Sequence, residues 1–405
     1  MKPIRLHMLG HEITPPGTLG GTTRILIEFA KRWCLEPNVQ ITIHTSAEGA
    51  QTLSRYGVPE QITRSIWQGV AYSWSYNPLI NMQQIRAAIH NVANVTDLRS
   101  SQLLIYSMSE FWQDVLPAML LRRRFPQSRW LSGFYLFAPN PFLGFEGVYG
   151  QRKLKVPELK LLVQKYFYEP MTLAWIVRYA DMLFLTNQTD ADYFLRHGFS
   201  SDQIRAIYGG VDLAEAQSAS APALGEFAGC FVGRLHEQKG IEDLLRIWKR
   251  VCQHQPGRLA IIGTGLRPEY VARVRKLCTE LGLDHCVEWL GYLDGIKKYE
   301  VLKRSRVFLH TTVYDNSGMA AAEGMAAGLP VVAYDLPPLR VAYPKGMLKA
   351  PPRDIDAFAQ AVIALLTDSA LYKATQQDAV DFAREWDWGK RAQESLDWIR
   401  QSLSH

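Results

Sequence analysis

Strand patterns alternate with helix patterns along this chain twice over, and the two series are separated by a short run of small polar residues. In the first series, residues 4–9, 39–44, 103–106, 130–136 and 181–186 read as strands. Helical patterns occupy residues 22–33 and 115–124, and another starts near Thr189. In the second series, residues 229–232, 259–262, 287–290, 307–310 and 331–333 read as strands, with helices over 241–252 and 268–281. The last 35 residues read as helical. Alternation of this kind predicts parallel sheets covered by helices on both faces. The run 215–222, Glu-Ala-Gln-Ser-Ala-Ser-Ala-Pro, predicts a linker. A length of 405 residues suits two domains. The expectation is two doubly wound domains with a ligand cleft between them, at the carboxyl ends of the strands.

Composition narrows the function classes. With 47% hydrophobic and 21% charged residues, the chain is globular rather than disordered. A net charge of +6 favours anionic partners such as phosphates or an acidic membrane surface, and is too mild to argue for nucleic acid. The five cysteines show no paired spacing, which argues against a zinc site or a disulfide framework. Residues 1–6 read as the start of a strand rather than as a signal peptide, and no apolar run approaches the roughly 20 residues of a membrane span. The expected location is cytoplasmic, with peripheral contact at the inner face of the cell membrane as an additional expectation.

Two stretches carry chemistry. The first is Gly233-Arg234-Leu235-His236-Glu237-Gln238-Lys239-Gly240, between a strand and a helix. Two cations five residues apart, beside a helix start, make a diphosphate site or, read plainly, a solvated loop. The second stretch runs from Tyr314 to Ala333 and holds Asp315, Gly318 and Glu323. A helix starting near Gly318 is rich in small residues, so it can pack close to the sheet and bring its backbone N–H groups to a ligand.

Together these stretches resemble the glycosyltransferase family 4 pattern, the group 1 glycosyltransferases. The pattern has a Gly-Arg and a Lys-Gly in the first motif and two acidic residues with seven between them in the second, the spacing of Asp315 and Glu323. Gly20-Gly21, residues 207–212 (Ile-Tyr-Gly-Gly-Val-Asp), residues 328–333 (Gly-Leu-Pro-Val-Val-Ala) and residues 385–388 (Glu-Trp-Asp-Trp) extend the resemblance over most of the chain. It implies a GT-B fold: an acceptor-binding domain over 1–207, completed by a final helix over about 389–405, and a nucleotide-sugar-binding domain over 208–388.

The resemblance also implies roles. Arg234 and Lys239 would neutralise the donor diphosphate, and Gly20, Gly21 and Gly233 would approach it. Asp315 would hold hydroxyls of the transferred sugar and Glu323 the donor ribose. The N–H groups of Gly318, Met319 and Ala320 would cap a hydroxyl or phosphate. The implied enzyme is a retaining, metal-independent hexosyltransferase with no cofactor, using a nucleotide diphosphate sugar and a glycan or lipid-linked acceptor. The alternatives are a degenerate member that binds a nucleotide sugar or partner enzyme without turnover, and a sugar-nucleotide epimerase.

Two departures from the family bear on specificity. Asp315 stands where the family usually has Glu, shortening reach by roughly 1.5 Å. The family's first-domain His is missing from residues 134–141, where Tyr135 or Phe137 occupies its neighbourhood. Asp190-Ala191-Asp192 and Asp354-Ile355-Asp356 read as helix caps rather than metal ligands. His7 and His11 read as packing or loop residues, with His11 near the glycine loop. Residues 151–178 mix Arg152, Lys153, Lys155, Lys160, Lys165 and Arg178 with leucines and aromatics. This pattern fits a core helix with a basic outer face, or a surface that meets anionic lipid or a lipid-linked acceptor.

Overall fold

The structure, a computed structural model, describes residues 3–11, 13, 19–69, 78–95, 102–145, 154, 156–220 and 225–404. It falls into two compact units. The first gathers the described residues of Met1–Pro141, Pro157–Gly209 and Trp388–His405, and the second those of Phe142–Val156 and Gly210–Asp387. The described part of Phe142–Val156 groups with the second unit, although it precedes residue 207. Phe145 explains this, because its ring packs 5.4 Å from His236 and 5.8 Å from Tyr314.

The first unit holds seven strands: β1 (Ile4–Gly10), β2 (Val39–Thr45), β3 (Thr63–Ile66), β4 (Gln102–Ser107), β5 (Arg129–Phe134), β6 (Met182–Leu185) and β7 (Ile204–Ala206). Their spatial order is β3-β2-β1-β4-β5-β6-β7, paired in parallel throughout. The second unit holds six: β8 (Phe227–Val232), β9 (Leu259–Ile262), β10 (Val287–Gly291), β11 (Ser305–His310), β12 (Val331–Tyr334) and β13 (Met347–Ala350). Their order is β10-β9-β8-β11-β12-β13, again all parallel. Strands such as β6 (Met-Leu-Phe-Leu), β9 (Leu-Ala-Ile-Ile) and β12 (Val-Val-Ala-Tyr) are buried at every position. Unbroken apolar runs are what a parallel sheet covered on both faces requires. The strand order reverses at β1/β4 and at β8/β11, and at such switch points the diverging connections open a crevice.

The C-terminal helix Trp388–Ser404 belongs to the first unit. The Trp33 indole N–H donates to the Ala392 carbonyl at 2.8 Å, and the Arg400 guanidinium meets Glu36 at 2.7 Å. Among the described residues no single helix is long and apolar enough to cross a membrane.

Three local expectations change. The stretch expected as a linker begins as a helix, Leu213–Ser218, because Asp212 accepts the Glu215 N–H at 2.9 Å and Leu-Ala-Glu-Ala-Gln favours a helix. Strand β5 stops at Phe134 rather than at residue 136, since the Tyr135 N–H turns to the Glu110 carboxyl at 3.1 Å instead of to a neighbouring strand. The basic segment forms the helices Leu159–Val163 and Glu169–Tyr179 around a π-helical turn, Gln164–Tyr168. Leu173 and Ile176 are buried there, whereas Tyr166 and Phe167 are 60% and 61% exposed. Arg152, Lys153 and Lys155 lie outside the described residues.

Candidate active site

The second unit's switch point brings the two motifs together. After β8 the chain runs through Gly233 and Arg234 to a single 3-10 turn, Glu237–Lys239, and then enters the helix Ile241–His254 at Gly240. Gly240 has φ +64°, and a Cβ there would lie 2.1 Å from the Thr311 carbonyl oxygen. Only glycine fits such a position, which is why the loop after β8 can lie against the loop after β11. Side chain and backbone then stitch the loops. The Gln238 amide donates to the Tyr314 carbonyl at 2.8 Å, the Val313 N–H to the Gln238 carbonyl at 2.9 Å, and the Thr311 hydroxyl to the Lys239 carbonyl at 3.1 Å.

The stitching places Lys239 against Asp315, with Nζ 3.4 Å from Oδ2. His310, buried at the end of β11, puts Nε2 3.1 Å from the same oxygen. The other oxygen, Oδ1, accepts the N–H groups of Asn316 at 2.9 Å and Gly318 at 3.3 Å. A carboxylate offers about four acceptor sites, so all of Asp315's are engaged in this structure. Burial alone would raise the Asp315 carboxyl. The Lys239 ammonium, the His310 contact and the Gly318 N–H outweigh it and hold the carboxyl well below the usual carboxylate range.

Arg234 is different. Its side chain is exposed, and among the described residues no hydrogen bond or ion pair holds it. Its neighbour His236 caps the 3-10 turn by accepting the Gln238 N–H at 3.1 Å. Burial, then the nearby Arg234, Arg267 and Lys239, push the His236 imidazole down to about 4. The loop is therefore a positive environment carrying one uncommitted guanidinium.

The helix Met319–Ala326 follows Gly318, whose φ of +63° turns the chain into it. A Cβ on Gly324 would lie 2.6 Å from the Phe308 ring, so the small residues do let this helix lie close to β11. The Tyr343 hydroxyl donates to the Ser317 and Gly318 carbonyls at 3.0 and 2.8 Å and fixes the entry. The first N–H groups of the helix, at Met319 and Ala320, have no carbonyl one turn earlier within it, and Gly318 supplies no side-chain cap, the arrangement that suits an anionic or hydroxyl acceptor. No acidic residue occupies that first turn. Glu323 sits one turn further, with Oε1 2.7 Å from the Lys298 ammonium.

In the first unit, Gly20 is the N-cap of the helix Gly21–Trp33, at the extended φ of −77°, and residues 14–18 of the glycine loop lie outside the described residues. Tyr135 is buried, its hydroxyl 2.5 Å from that of Tyr106, and Phe137 packs on Phe134 and Tyr193. Burial, above all, pushes the neighbouring Glu110 carboxyl up to about 8. His11 is fully buried. Its backbone N–H donates to Asp114 Oδ1 at 2.7 Å, and its ring lies 4.8 Å from that of Trp67. His7 and His44 form a chain with Trp67: the indole N–H donates to His44 Nδ1 at 3.0 Å, and His44 Nε2 meets His7 Nδ1 at 2.9 Å. That chain is satisfied only by a neutral His44, whose Nε2 carries the proton. Burial, chiefly, holds both imidazoles low, that of His7 at about 4.

Only the second Asp pair acts as cap and ion pair; Asp190 stands at the N-cap of Ala191–Arg196 without a side-chain cap bond, and its Oδ2 accepts the Asn187 amide at 3.2 Å. Asp354 caps the helix Ile355–Thr367 by accepting the Ala357 N–H, and Asp356 meets Arg250 at 2.9 Å. Asn187 caps the turn ahead of Asp190. The sequence reading missed His310 and Lys298. A histidine five residues before Asp315 was visible, and so was the i, i+4 spacing of Asp294 and Lys298. Neither pattern shows by itself which carboxylate its cation reaches.

Residues 214–386 match the family model described as Glycosyl transferases group 1. An uncharacterized glycosyltransferase of Methanocaldococcus jannaschii is 31% identical over 170 residues, covering 41% of this chain and 43% of that one. The chain spans about half the length of the curated relatives it matches. Among solved structures, the sucrose-phosphate synthase of Thermosynechococcus elongatus superposes with a TM-score of 0.73 at 18% identity, covering 99% of each chain. HepE of Anabaena, in complex with UDP and glucose, gives 0.70 at 16% identity, covering 98% of this chain and 99% of that one. The two parallel doubly wound units are thus those of the GT-B fold, and residues 214–386 carry the match to the group 1 glycosyltransferases.

Proposed function

We propose that this chain moves a hexose from a nucleotide diphosphate sugar to a hydroxyl of a glycan or glycolipid, with retention at the anomeric carbon and without a metal ion. The observation that carries this reading is the exposed Arg234 beside the Lys239–Asp315 pair and the N-terminus of Met319–Ala326, which no side chain caps. These groups supply fixed positive charge where a diphosphate leaving group would gain negative charge as the sugar bond breaks. Arg234 has the planar fork that suits a phosphate.

Lys239 has a partner to give up. Its 3.4 Å contact is the longest of the four at Asp315. Turning its ammonium to the diphosphate would release one Oδ2 acceptor site, which a hydroxyl of the transferred sugar could fill. Asp315 then holds the sugar only when Lys239 holds the phosphate. Retention and metal independence follow the family pattern and the cationic groups present. HepE of Anabaena, whose structure holds UDP and glucose, makes a uridine donor the first to try.

The test is a thermal-shift screen of the full chain against UDP-, GDP- and ADP-sugars, followed by product analysis with excess EDTA. A donor at 100 times its dissociation constant should stabilise the native state by about 2.7 kcal/mol. Turnover that strictly requires an added divalent ion would overturn metal independence. Product formed without acceptor would identify an epimerase instead, and binding without any turnover a degenerate member.

A second reading concerns the acceptor. Leu159, Tyr166 and Phe167 are 65%, 60% and 61% exposed on a segment that also carries Lys160 and Lys165. Exposed aromatics beside lysines fit peripheral contact with an anionic bilayer that holds a lipid-linked acceptor.

A further inference from the structure

Glu323 and Asp315 hold corresponding places in the acidic motif but are satisfied differently. Every acceptor site of Asp315 is taken. Among the described residues the Glu323 side chain has one partner, the Lys298 ammonium at 2.7 Å from Oε1, and its second oxygen has none. Glu323 keeps 20% of its side chain exposed, whereas Lys298 keeps 5%. A lysine that deep is unusual unless it is paired. Here it is paired twice, with Asp294 Oδ1 at 3.2 Å as well as with Glu323.

Asp294 is itself fixed. It caps the helix Gly295–Lys303 by accepting the Gly295 N–H at 2.9 Å, and its Oδ2 accepts the Tyr292 hydroxyl at 3.3 Å. A connected line therefore runs Glu323–Lys298–Asp294–Tyr292, from the helix after β11 to the loop after β10. Glu323 is clamped at one oxygen by a buried cation that is itself tied to Asp294, and among the described residues the other oxygen makes no hydrogen bond. An exposed glutamate has three rotatable bonds and would lose that freedom on binding a ligand. A clamped one has already lost it.

We propose that Lys298 is a positioning residue that fixes Glu323 so that its unpartnered oxygen meets the ribose hydroxyls of the donor, and so sets the preference for ribonucleotides over deoxyribonucleotides. This rests on the ribose role given to Glu323 above. Two vicinal hydroxyls can both donate to one carboxylate only if it is held in register. A swinging carboxylate would still bind one hydroxyl, and discrimination would fall.

The experiment measures, on the full chain by calorimetry, the dissociation constants of the nucleoside diphosphate bound best among UDP, GDP and ADP. It repeats the measurement with the 2′-deoxy counterpart of that ligand. In the wild type the ribose form should bind on the order of 10-fold or more tighter, the range of a hydrogen bond to a charged group. Lys298→Met, close in volume and uncharged, should bring that ratio near unity. So should Glu323→Gln, and the double variant should lose no more than either single one, since the two act as a unit. A helix tie with no ligand role would lower the melting temperature and leave the ratio unchanged. A wild-type ratio in Lys298→Met alongside a lost ratio in Glu323→Gln overturns the positioning role alone. A wild-type ratio in Glu323→Gln overturns the ribose role itself. Should Lys298→Met not fold, Lys298→Gln, which keeps a donor and loses the charge, is read by the same two criteria.

Discussion

The two units are wound alike, yet the carboxyl ends of their central strands are finished in opposite ways. In the first unit many polar groups there answer one another: Tyr106 meets Tyr135, the Glu110 carboxyl takes the Tyr135 N–H, and Asp114 takes the Ser109 hydroxyl and the His11 N–H, although among the described residues the His11 ring nitrogens are buried without a hydrogen-bond partner. Among the described residues of the second unit, Arg234 has no partner, Glu323 has one oxygen without a partner, and no side chain caps the start of Met319–Ala326. One topology thus supports a buried polar network and a more exposed charged site. The winding decides where a site can lie, and the side chains decide whether it is left unfilled for a ligand.

The largest expected effect attacks the apposition of the β8 and β11 loops. Gly240→Ala puts a methyl 2.1 Å from a carbonyl oxygen at φ +64° and should cost about 3–5 kcal/mol. Its counterpart in the first unit, Gly57→Ala, has φ +70° but nothing within 4 Å, and should cost about 1 kcal/mol. Denaturant unfolding of the two variants checks the contrast, and equal costs would break it.

Next in size is the open charge. Arg234→Ala should leave stability nearly unchanged, because the side chain is exposed and unpaired. It should lower kcat/KM by about 10- to 150-fold, from a lost contact of roughly 1.5–3 kcal/mol to the donor. Lys239→Ala should lower turnover similarly and also destabilise, since it strands the buried Asp315 carboxylate. Wild-type kinetics in a folded Arg234→Ala would remove the diphosphate assignment.

The buried network of the first unit should show itself through pH. Burial raises the Glu110 carboxyl from an ordinary 4.5 to about 8 in the folded chain, so the native state binds the extra proton between those limits. Stability from this group is complete below about 4.5 and is lost as pH rises towards about 8. His7 and His236, held near 4, act in the opposite sense, and their effect is confined below the ordinary histidine value of 6.5. Between pH 6.5 and 8, therefore, Glu110 should dominate and cost the wild type about 2 kcal/mol. Glu110→Gln should flatten that window, and urea titrations at the two pH values decide it.

The smallest effect concerns the exposed aromatic turn. Sedimentation with anionic liposomes should be weak, on the order of 1 kcal/mol per participating lysine, and should fade as salt shortens the screening length to about 8 Å at 0.15 M. Replacing Tyr166 and Phe167 by Ser should reduce pelleting without unfolding the chain. A wild type that ignores such liposomes at low salt would favour a soluble acceptor.

Much of this arrangement was legible in the residues. Unbroken apolar strands, glycines at sharp turns and the acidic spacing of Asp315 and Glu323 depend on neighbours in sequence, so they placed the parallel sheets, the helix after Gly318 and the Arg234–Lys239 loop. The helix inside the expected linker was missed because one cap, Asp212, outweighed a composition that suggested a turn. The three-dimensional fold alone decided which charges meet. Lys239 reaches Asp315 across 76 residues, Lys298 reaches Glu323 across 25, and Glu110 takes the Tyr135 N–H across another 25. Coulomb and hydrogen-bond energies depend on separation in space and on burial, and a linear pattern encodes neither. A lysine in an amphipathic helix and a glutamate among alanines look like ordinary surface residues until the packing of β11 and its flanking helices brings them to 2.7 Å.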